Sequence, residues 1–186
     1  MAQESVRTSF AQIEAWLDAH APALNSYLNP PASLEQINYL EQQIGCRLPV
    51  SVREAYHLHD GEAKASDGLY GTWRWLPLAE VLAVHEEHCS IEAEYHFGDF
   101  LPALMIPLMQ SGGGDLYYIE YCGKPSESDA SDWESEVIEW FHEQPTREVI
   151  AASFARLWKT FANGLEAGEY VYRPDDLQAL LEEDEL

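Results

Sequence analysis

Histidine and acidic side chains are the residues of this sequence that could bind a metal or move a proton. His57 and His59 flank one leucine, and His85 and His88 flank two glutamates. Two histidines and a carboxylate could meet at a facial metal site. The second pair lacks the spacing of a zinc-protease helix, and histidines that cap helix ends would explain both pairs without a metal. We therefore expect no metal and no cofactor.

Residues 111–115, which read SGGGD, suggest a phosphate-binding loop at first sight. Such a loop leads from a strand into a helix and ends in Lys followed by Ser or Thr, whereas this one ends in an acid between two predicted strands. No Gly-x-Ser-x-Gly motif marks a serine nucleophile. Acidic residues are too numerous for any one pair to indicate a glycosidase. We predict a protein that is not an enzyme, and a small acidic hydrolase of another type stays open.

Charge is the most unusual feature of the composition. Ten Lys and Arg residues stand against 33 Asp and Glu residues, for a net charge of −23. Contacts with nucleic-acid phosphates and with anionic membranes need Lys and Arg, so both partners are disfavoured. A basic protein would be attracted and would associate faster. A role of this charge in solubility alone stays open.

The cysteines and the N-terminus indicate a reduced, cytoplasmic protein. Cys46, Cys89 and Cys122 form no Cys-x-x-Cys pair, which argues against a disulfide framework and a zinc site. The first ten residues have no apolar run behind a basic start. No stretch approaches the roughly 20 apolar residues of a membrane span.

The order of the predicted elements indicates one α+β domain over residues 1–186. Apolar residues at helical spacing predict helices over residues 3–20, 33–45, 49–59, 77–89 and 146–165, with a last helix from Pro174 that frays in an acidic tail. Strands are predicted around Trp73 and Trp75, over 105–109, 116–122 and 137–141, and as a short segment at Tyr170 to Tyr172. This order favours a largely antiparallel mixed sheet covered by helices.

Turn residues between these elements follow a distinctive order. A helix ends at Ile44-Gly45, Leu48-Pro49 begins the next, and that helix contains Tyr56 and ends at Asp60-Gly61. Trp75-Leu76-Pro77-Leu78, the glycine turn before Asp115, and a strand from Val137 follow. In this order the segments resemble the SMI1/KNR4 family, the SUKH superfamily, over about residues 33–163. Two departures are Glu120, where the family usually has Asp, and a long loop at 123–134.

The motif residues have structural roles by their types. We predict that Gly45 and Gly61 end helices with a positive φ and that Pro49 pre-sets the first turn of a helix. The motif set comprises Gly45, Leu48, Pro49, Tyr56, Asp60, Gly61, Trp75, Pro77, Gly112, Gly113 and Gly114. Alternatively, the loops at 60–71 and 110–115 lie near each other and help to form a binding surface.

The resemblance implies binding rather than catalysis. Bacterial members of the family commonly act as immunity proteins, which bind and neutralise a toxin, and fungal relatives regulate cell-wall assembly through protein contacts. We predict an immunity protein that binds a basic cognate toxin in the cytoplasm. A nuclease is a natural target because its substrate-binding surface is basic. The alternative is a regulatory protein-binding scaffold with a non-toxin partner.

The acidic segment from residue 85 to residue 148 is the predicted interface, since it holds 15 acids and two bases. Trp133 lies in this segment, and tryptophan leads among the residues that dominate binding energy. Its alternative is to fold back onto the sheet. The predicted partner-binding residues are Asp115, Asp129, Asp132, Trp133 and Glu134, with Glu62 and Asp67 adjacent. The pattern leaves open the oligomeric state and whether the helix at 3–20 is core or interface.

Overall fold

The computed structural model describes residues 5–95, 105–121, 133–144, 146–172 and 180–182 of the chain. The helices are α1 (Val6–His20), α2 (Pro22–Asn25), α3 (Leu34–Ile44), α4 (Val50–Tyr56), α5 (Leu78–Tyr95) and α6 (Phe154–Ala167). The strands are β1 (Trp73–Trp75), β2 (Met105–Ser111), β3 (Leu116–Glu120), β4 (Val137–Trp140), β5 (Arg147–Ala151), β6 (Tyr170–Tyr172) and β7 (Leu180–Glu182). The predicted α+β class is confirmed.

Local chemistry sets the ends of α3. The Ser33 hydroxyl accepts from the Gln36 backbone N–H, and the Gln36 side chain accepts from the Ser33 N–H, which forms a capping box. Gly45 ends the helix with a φ of 75°. Pro22, two residues after the end of α1, begins the single turn of α2.

Strands β1 to β5 form one sheet in chain order, and every described pair is antiparallel. The register of β2 against β3 shifts by one residue between Pro107 and Met109. Proline has no backbone N–H for the ladder, so a bulge is the natural place for it inside a strand. The separate pair of β6 and β7 is also antiparallel.

Helices cover both faces of the sheet. The main core contains α1, α4 and α6, and its centre is a cluster of rings in which Phe10 lies 4.7 Å from Trp158 and 5.5 Å from Trp75, between ring centroids. The buried residues of α1, including Val6 and Ile13, make this helix part of the core. On the opposite face, Val84 and Ile91 of α5 pack on a smaller cluster of Met105, Leu116, Tyr118 and Trp140.

Two predicted helices are wrong. Residues 146–165 do not form one helix, because Arg147–Ala151 pairs with β4 as a strand and α6 begins only at Phe154. The Ser153 side chain separates the two elements, since it accepts from the Arg156 backbone N–H and caps α6. The helix predicted from Pro174 fails where it is described, because Leu180–Glu182 pairs with Tyr170–Tyr172. The helix predicted over 77–89 is correct but extends to Tyr95.

Within the described part of the chain, no helix has the length and apolar character needed to cross a membrane.

Candidate protein-interaction surface

The first loop, at 60–71, and the second loop, at 110–115, meet at one end of the sheet. β1 begins at Trp73, which pairs with Ser111 at the end of β2. Tyr70, at the close of the first loop, forms an isolated bridge with Trp73. The first loop therefore ends beside the turn that joins β2 to β3.

The Asp60-Gly61 pair joins the loop to the start of α5. One carboxylate oxygen of Asp60 accepts from the Leu78 backbone N–H at 2.9 Å, and burial raises the pKa of this carboxyl. Gly61 has a φ of 64°, and a Cβ there would lie 2.6 Å from the backbone of Leu76 and Pro77. Glycine is needed at this position because neither the conformation nor the close approach tolerates a side chain.

Glu62 was predicted to stand next to the partner interface, but its side chain is inside the protein. The residue is 1% exposed, and its carboxylate accepts from the Trp75 backbone N–H at 2.8 Å and from the Ser66 hydroxyl. Burial raises the pKa of Glu62 to about 7. The residue fixes the loop to β1 and is removed from the partner-facing set. Asp67, in the same loop, is exposed.

Asp115 closes the hairpin and reaches the segment after β4. Its carboxylate accepts from the His142 backbone N–H at 3.1 Å, lies 2.8 Å from His142 Nδ1, and accepts from the Ser111 hydroxyl at 3.1 Å. Partial burial raises the pKa of Asp115, but the bonds from His142 and Ser111 outweigh this effect and hold it below its usual value. Of the three turn glycines, Gly114 has the positive φ, 97°.

A stacked aromatic pair and a row of carboxylates lie next to this hairpin on one face of the sheet. The rings of Trp73 and Tyr117 stack with centroids 3.7 Å apart. Tyr117 pairs with Glu139 across the β3–β4 ladder, and Glu139 pairs with Glu148 on β5. Burial and the nearby charges of Glu148 and Asp115 raise the pKa of Glu139. We call Trp73, Asp115, Tyr117, Glu139 and Glu148 the hairpin-end surface.

The hairpin-end surface has the chemistry to receive a basic side chain. The like charges of Glu139 and Glu148 repel each other, and a Lys or Arg of a partner would relieve that repulsion. Trp73, which is half-buried and stacked on Tyr117, adds an aromatic side chain to the same surface. The surface can therefore contribute to binding, and it holds no arrangement of nucleophile and base.

Trp133 and Glu134 lie at the opposite end of the sheet, just before β4. Trp133 is half-buried against the main core, and its indole N–H donates to the Arg47 carbonyl at 3.1 Å. Glu134 accepts from the Ser51 backbone N–H at 2.9 Å and from the Ser51 hydroxyl, at the N-terminus of α4. Both residues therefore hold the segment that precedes β4 against the start of α4. Trp133 packs on the domain, which was the predicted alternative to a role in the interface. Asp129 and Asp132 lie outside the described residues.

The motif residues between α3 and α4 support each other. The Leu48 backbone N–H donates to the Glu41 carboxylate at 2.9 Å, and Glu41 also pairs with Arg53 at 2.8 Å. Pro49 precedes the first turn of α4. The Tyr56 hydroxyl donates to the Leu76 carbonyl at 2.8 Å, and burial raises the pKa of this phenol.

Two of the four histidines considered as metal ligands contact other groups of the fold. His59 lies 2.9 Å from the Glu14 carboxylate and 2.9 Å from the Asn29 carbonyl. His85 lies 2.8 Å from the Met105 carbonyl. Among the residues that the structure describes, no group of three or more His, Cys, Asp or Glu side chains could hold a metal ion.

Sequence reasoning missed Glu139, Glu148 and the pairing of Trp73 with Tyr117. The strand over 137–141 was predicted, but its partner strand was interpreted as part of a helix. An interpretation of residues 147–151 as a strand would have placed the two glutamates opposite each other.

The chain was compared with protein families and with curated proteins. A model of the SMI1/KNR4 family (SUKH-1) matches residues 31–159, which is more than half of the chain. A KNR4/SMI1 homolog of Yarrowia lipolytica is 42% identical over 60 residues, 32% of this chain and 8% of the relative. A glucan synthesis regulatory protein of Neurospora crassa is 30% identical over 59 residues, 32% of this chain and 11% of the relative.

One longer match spans most of the chain. The cell wall biosynthesis/cell cycle regulator smi1 of Schizosaccharomyces pombe is 23% identical over an alignment of 197 residues, 92% of this chain and 38% of the relative. The chain therefore spans well under half the length of these three relatives.

Proposed function

We propose that this chain, which belongs to the SMI1/KNR4 family (SUKH-1), is a regulatory protein-binding module that holds a partner and does no chemistry. The observation that carries the proposal is the hydrogen bonding of three carboxylates in the two loops. Asp60, Glu62 and Asp115 each accept hydrogen bonds from donors of the same fold. Carboxylates that are engaged in this way support loops, and they are poorly placed to exchange protons with a substrate.

The partner that fits is a basic protein. The net charge of −23 draws a cationic surface from a distance, and this attraction raises the rate of association. The hairpin-end surface supplies a local contact, because Glu139 and Glu148 share one face with Trp73. A Lys or Arg of the partner would bind there between the two carboxylates.

The names of the relatives favour a regulatory partner over a toxin. The Neurospora relative is named for glucan synthesis, and the Schizosaccharomyces relative for cell-wall biosynthesis and the cell cycle. The sequence analysis placed the toxin-immunity role first, and these names support its alternative, a scaffold with a non-toxin partner. The chain matches only part of each relative, so the activities and partners of these relatives are extended to it only as a proposal.

Quantitative affinity capture from extracts of the source organism tests the proposal. The bait is the tagged chain, and the test variant combines Glu139→Gln with Glu148→Lys. The control is Glu54→Lys, an exposed charge reversal on α4. We expect the wild type and the control to retain the same basic partner at low salt, and the test variant and high salt to release it.

Capture of a toxin-like partner would favour the immunity role over the regulatory role. The module proposal is wrong if the wild type retains nothing above an unrelated acidic bait of equal charge.

A further inference from the structure

A groove between α3 and α5 is a second exposed surface, separate from the hairpin-end surface. Its volume is about 190 Å³, and its lining residues are Gln36, Tyr39, Leu40, Leu78, Ala79 and Leu82. A shallower depression of about 560 Å³ continues along α3, and Tyr39 lines both. We call the two depressions together the α3–α5 groove.

The groove exposes apolar side chains, and none of the helices and strands that the structure describes covers them. Tyr39 is 57% exposed and Leu34 is 56% exposed, two of only five large hydrophobic side chains that are exposed in the described residues. Both belong to the depression along α3, while Leu40, Leu78 and Leu82 form the apolar part of the deeper one. A surface of this type binds the apolar face of another segment, because the contact removes Leu34 and Tyr39 from water.

The charge around the groove indicates which kind of partner segment it can bind. α3 carries two acidic residues and α5 carries five, and neither helix has a Lys or Arg. Glu41 and Glu80 are paired with Arg53 and Arg74. Glu35 lines the depression beside Tyr39, and Glu86 lies one helical turn beyond Leu82. The carboxylates of Glu35 and Glu86 form no hydrogen bond or ion pair with any residue that the structure describes.

We infer that the α3–α5 groove binds a basic amphipathic helix of the partner protein. Its apolar face would lie on Tyr39, Leu78 and Leu82, and its flanking Lys or Arg side chains would reach Glu35 and Glu86. The inference rests on the proposed function, since it names the surface and the partner class of a protein-binding module. A second copy of the chain is a poor occupant, because it would bring another net charge of −23 to an acidic groove.

A defined peptide tests the groove directly. The probe is a fluorescein-labelled amphipathic helix of about 18 residues, or five turns, with leucines on one face and lysines beside them. Its control has every lysine replaced by glutamate. Fluorescence anisotropy with the full chain gives the Kd, and we expect the lysine peptide to bind and the glutamate peptide to show no binding.

Matched variants separate the groove from general charge attraction. Tyr39→Ala removes the central contact, and we expect its Kd to rise about tenfold. Val149→Gln is the control, because Val149 is 52% exposed on β5 and lies outside the groove. Equal affinity for the wild type and Tyr39→Ala would overturn the inference, and so would a dimer of the wild-type chain in sedimentation that Tyr39→Ala abolishes.

The capture experiment distinguishes failure of the groove from failure of the proposed function. If the wild type and Tyr39→Ala retain the same partner equally, the groove assignment is wrong and the module proposal stands. If Tyr39→Ala releases the partner that Val149→Gln retains, both are supported. If the wild type retains no partner, the module proposal fails, and with it the inference that rests on it.

Discussion

The buried carboxylate of Glu62 predicts how stability depends on pH. Its pKa is about 7 in the folded chain, against 4.5 for an unperturbed glutamate, because burial disfavours the charged form. The folded state therefore binds the Glu62 proton more tightly than the unfolded state does. Below about pH 4.5 both states are protonated, and above about pH 7 both are ionised. Between these values the contribution of Glu62 to stability must fall as the pH rises.

The size of this effect follows from the shift in pKa. A difference of one unit corresponds to about 1.4 kcal/mol, so the shift of Glu62 corresponds to a loss of about 3 kcal/mol across the window. The variant Glu62→Gln resembles the protonated side chain and does not ionise. We expect the free energy of unfolding of the variant, minus that of the wild type, to increase by about 3 kcal/mol between pH 4.5 and pH 7.5.

Urea denaturation followed by tryptophan fluorescence at several pH values measures this difference. An imperfect fit of the amide to Ser66 or Leu69 would shift the variant by the same amount at every pH, so the slope is the informative quantity. Asp67→Asn controls for the loss of one charge from the exposed part of the same loop. A difference that stays constant with pH, or that decreases as the pH rises, would refute the reasoning.

Three further substitutions test the structural roles of motif residues and of a residue predicted at the interface, all by urea denaturation. Gly61→Ala should lower the free energy of unfolding by about 4 kcal/mol, because the new Cβ meets the backbone of Leu76. Gly45→Ala should lower it by only about 1 kcal/mol, because the space at its Cβ is open and only the positive φ is strained. Equal losses would contradict the close approach at Gly61. Glu134→Ala should lower the free energy of unfolding by about 1 to 2 kcal/mol, because it removes the acceptor for Ser51 at the start of α4. No change in stability would contradict this structural role and favour the predicted role of Glu134 in the interface.

Elements whose ends depend on neighbouring residues could be predicted from the sequence. Ser33 and Gln36 cap the start of α3 and Gly45 ends it, so local contacts at each end set the bounds of the helix predicted over 33–45. The antiparallel hairpin around the three glycines was equally local. These features depend on short-range hydrogen bonds and on φ preferences, and both can be inferred from the types of neighbouring residues.

The missed strand β5 depends on an edge position that the pattern does not reveal. Ile150 lies four residues before Phe154, which is helical spacing, so one long helix fitted the apolar residues. In the fold, Arg147, Glu148 and Val149 are all exposed, and β5 therefore lacks the alternation that identifies a half-buried strand. Ser153 was the signal for a break, since serine is a strong helix N-cap.

The candidate surface could be predicted only in part, because its residues meet through long-range pairing. Glu62 was taken for a surface acid in a charged loop, and its donors from Ser66 and β1 exist only after the loop folds over Trp75. The neighbours Glu139 and Glu148 come together through the register of β4 and β5. Asp115 was correctly singled out as a residue of the hairpin, although its contact with His142 was not anticipated.

The central claim is that this chain binds its partner and leaves it chemically unchanged. Purified chain and purified captured partner should be mixed in equal amounts, and the complex should be measured by sedimentation and by the intact mass of each protein. The account predicts a stable complex of fixed stoichiometry in which both masses are unchanged. A partner that is cleaved or modified by a small fraction of its molar amount of the chain would contradict it.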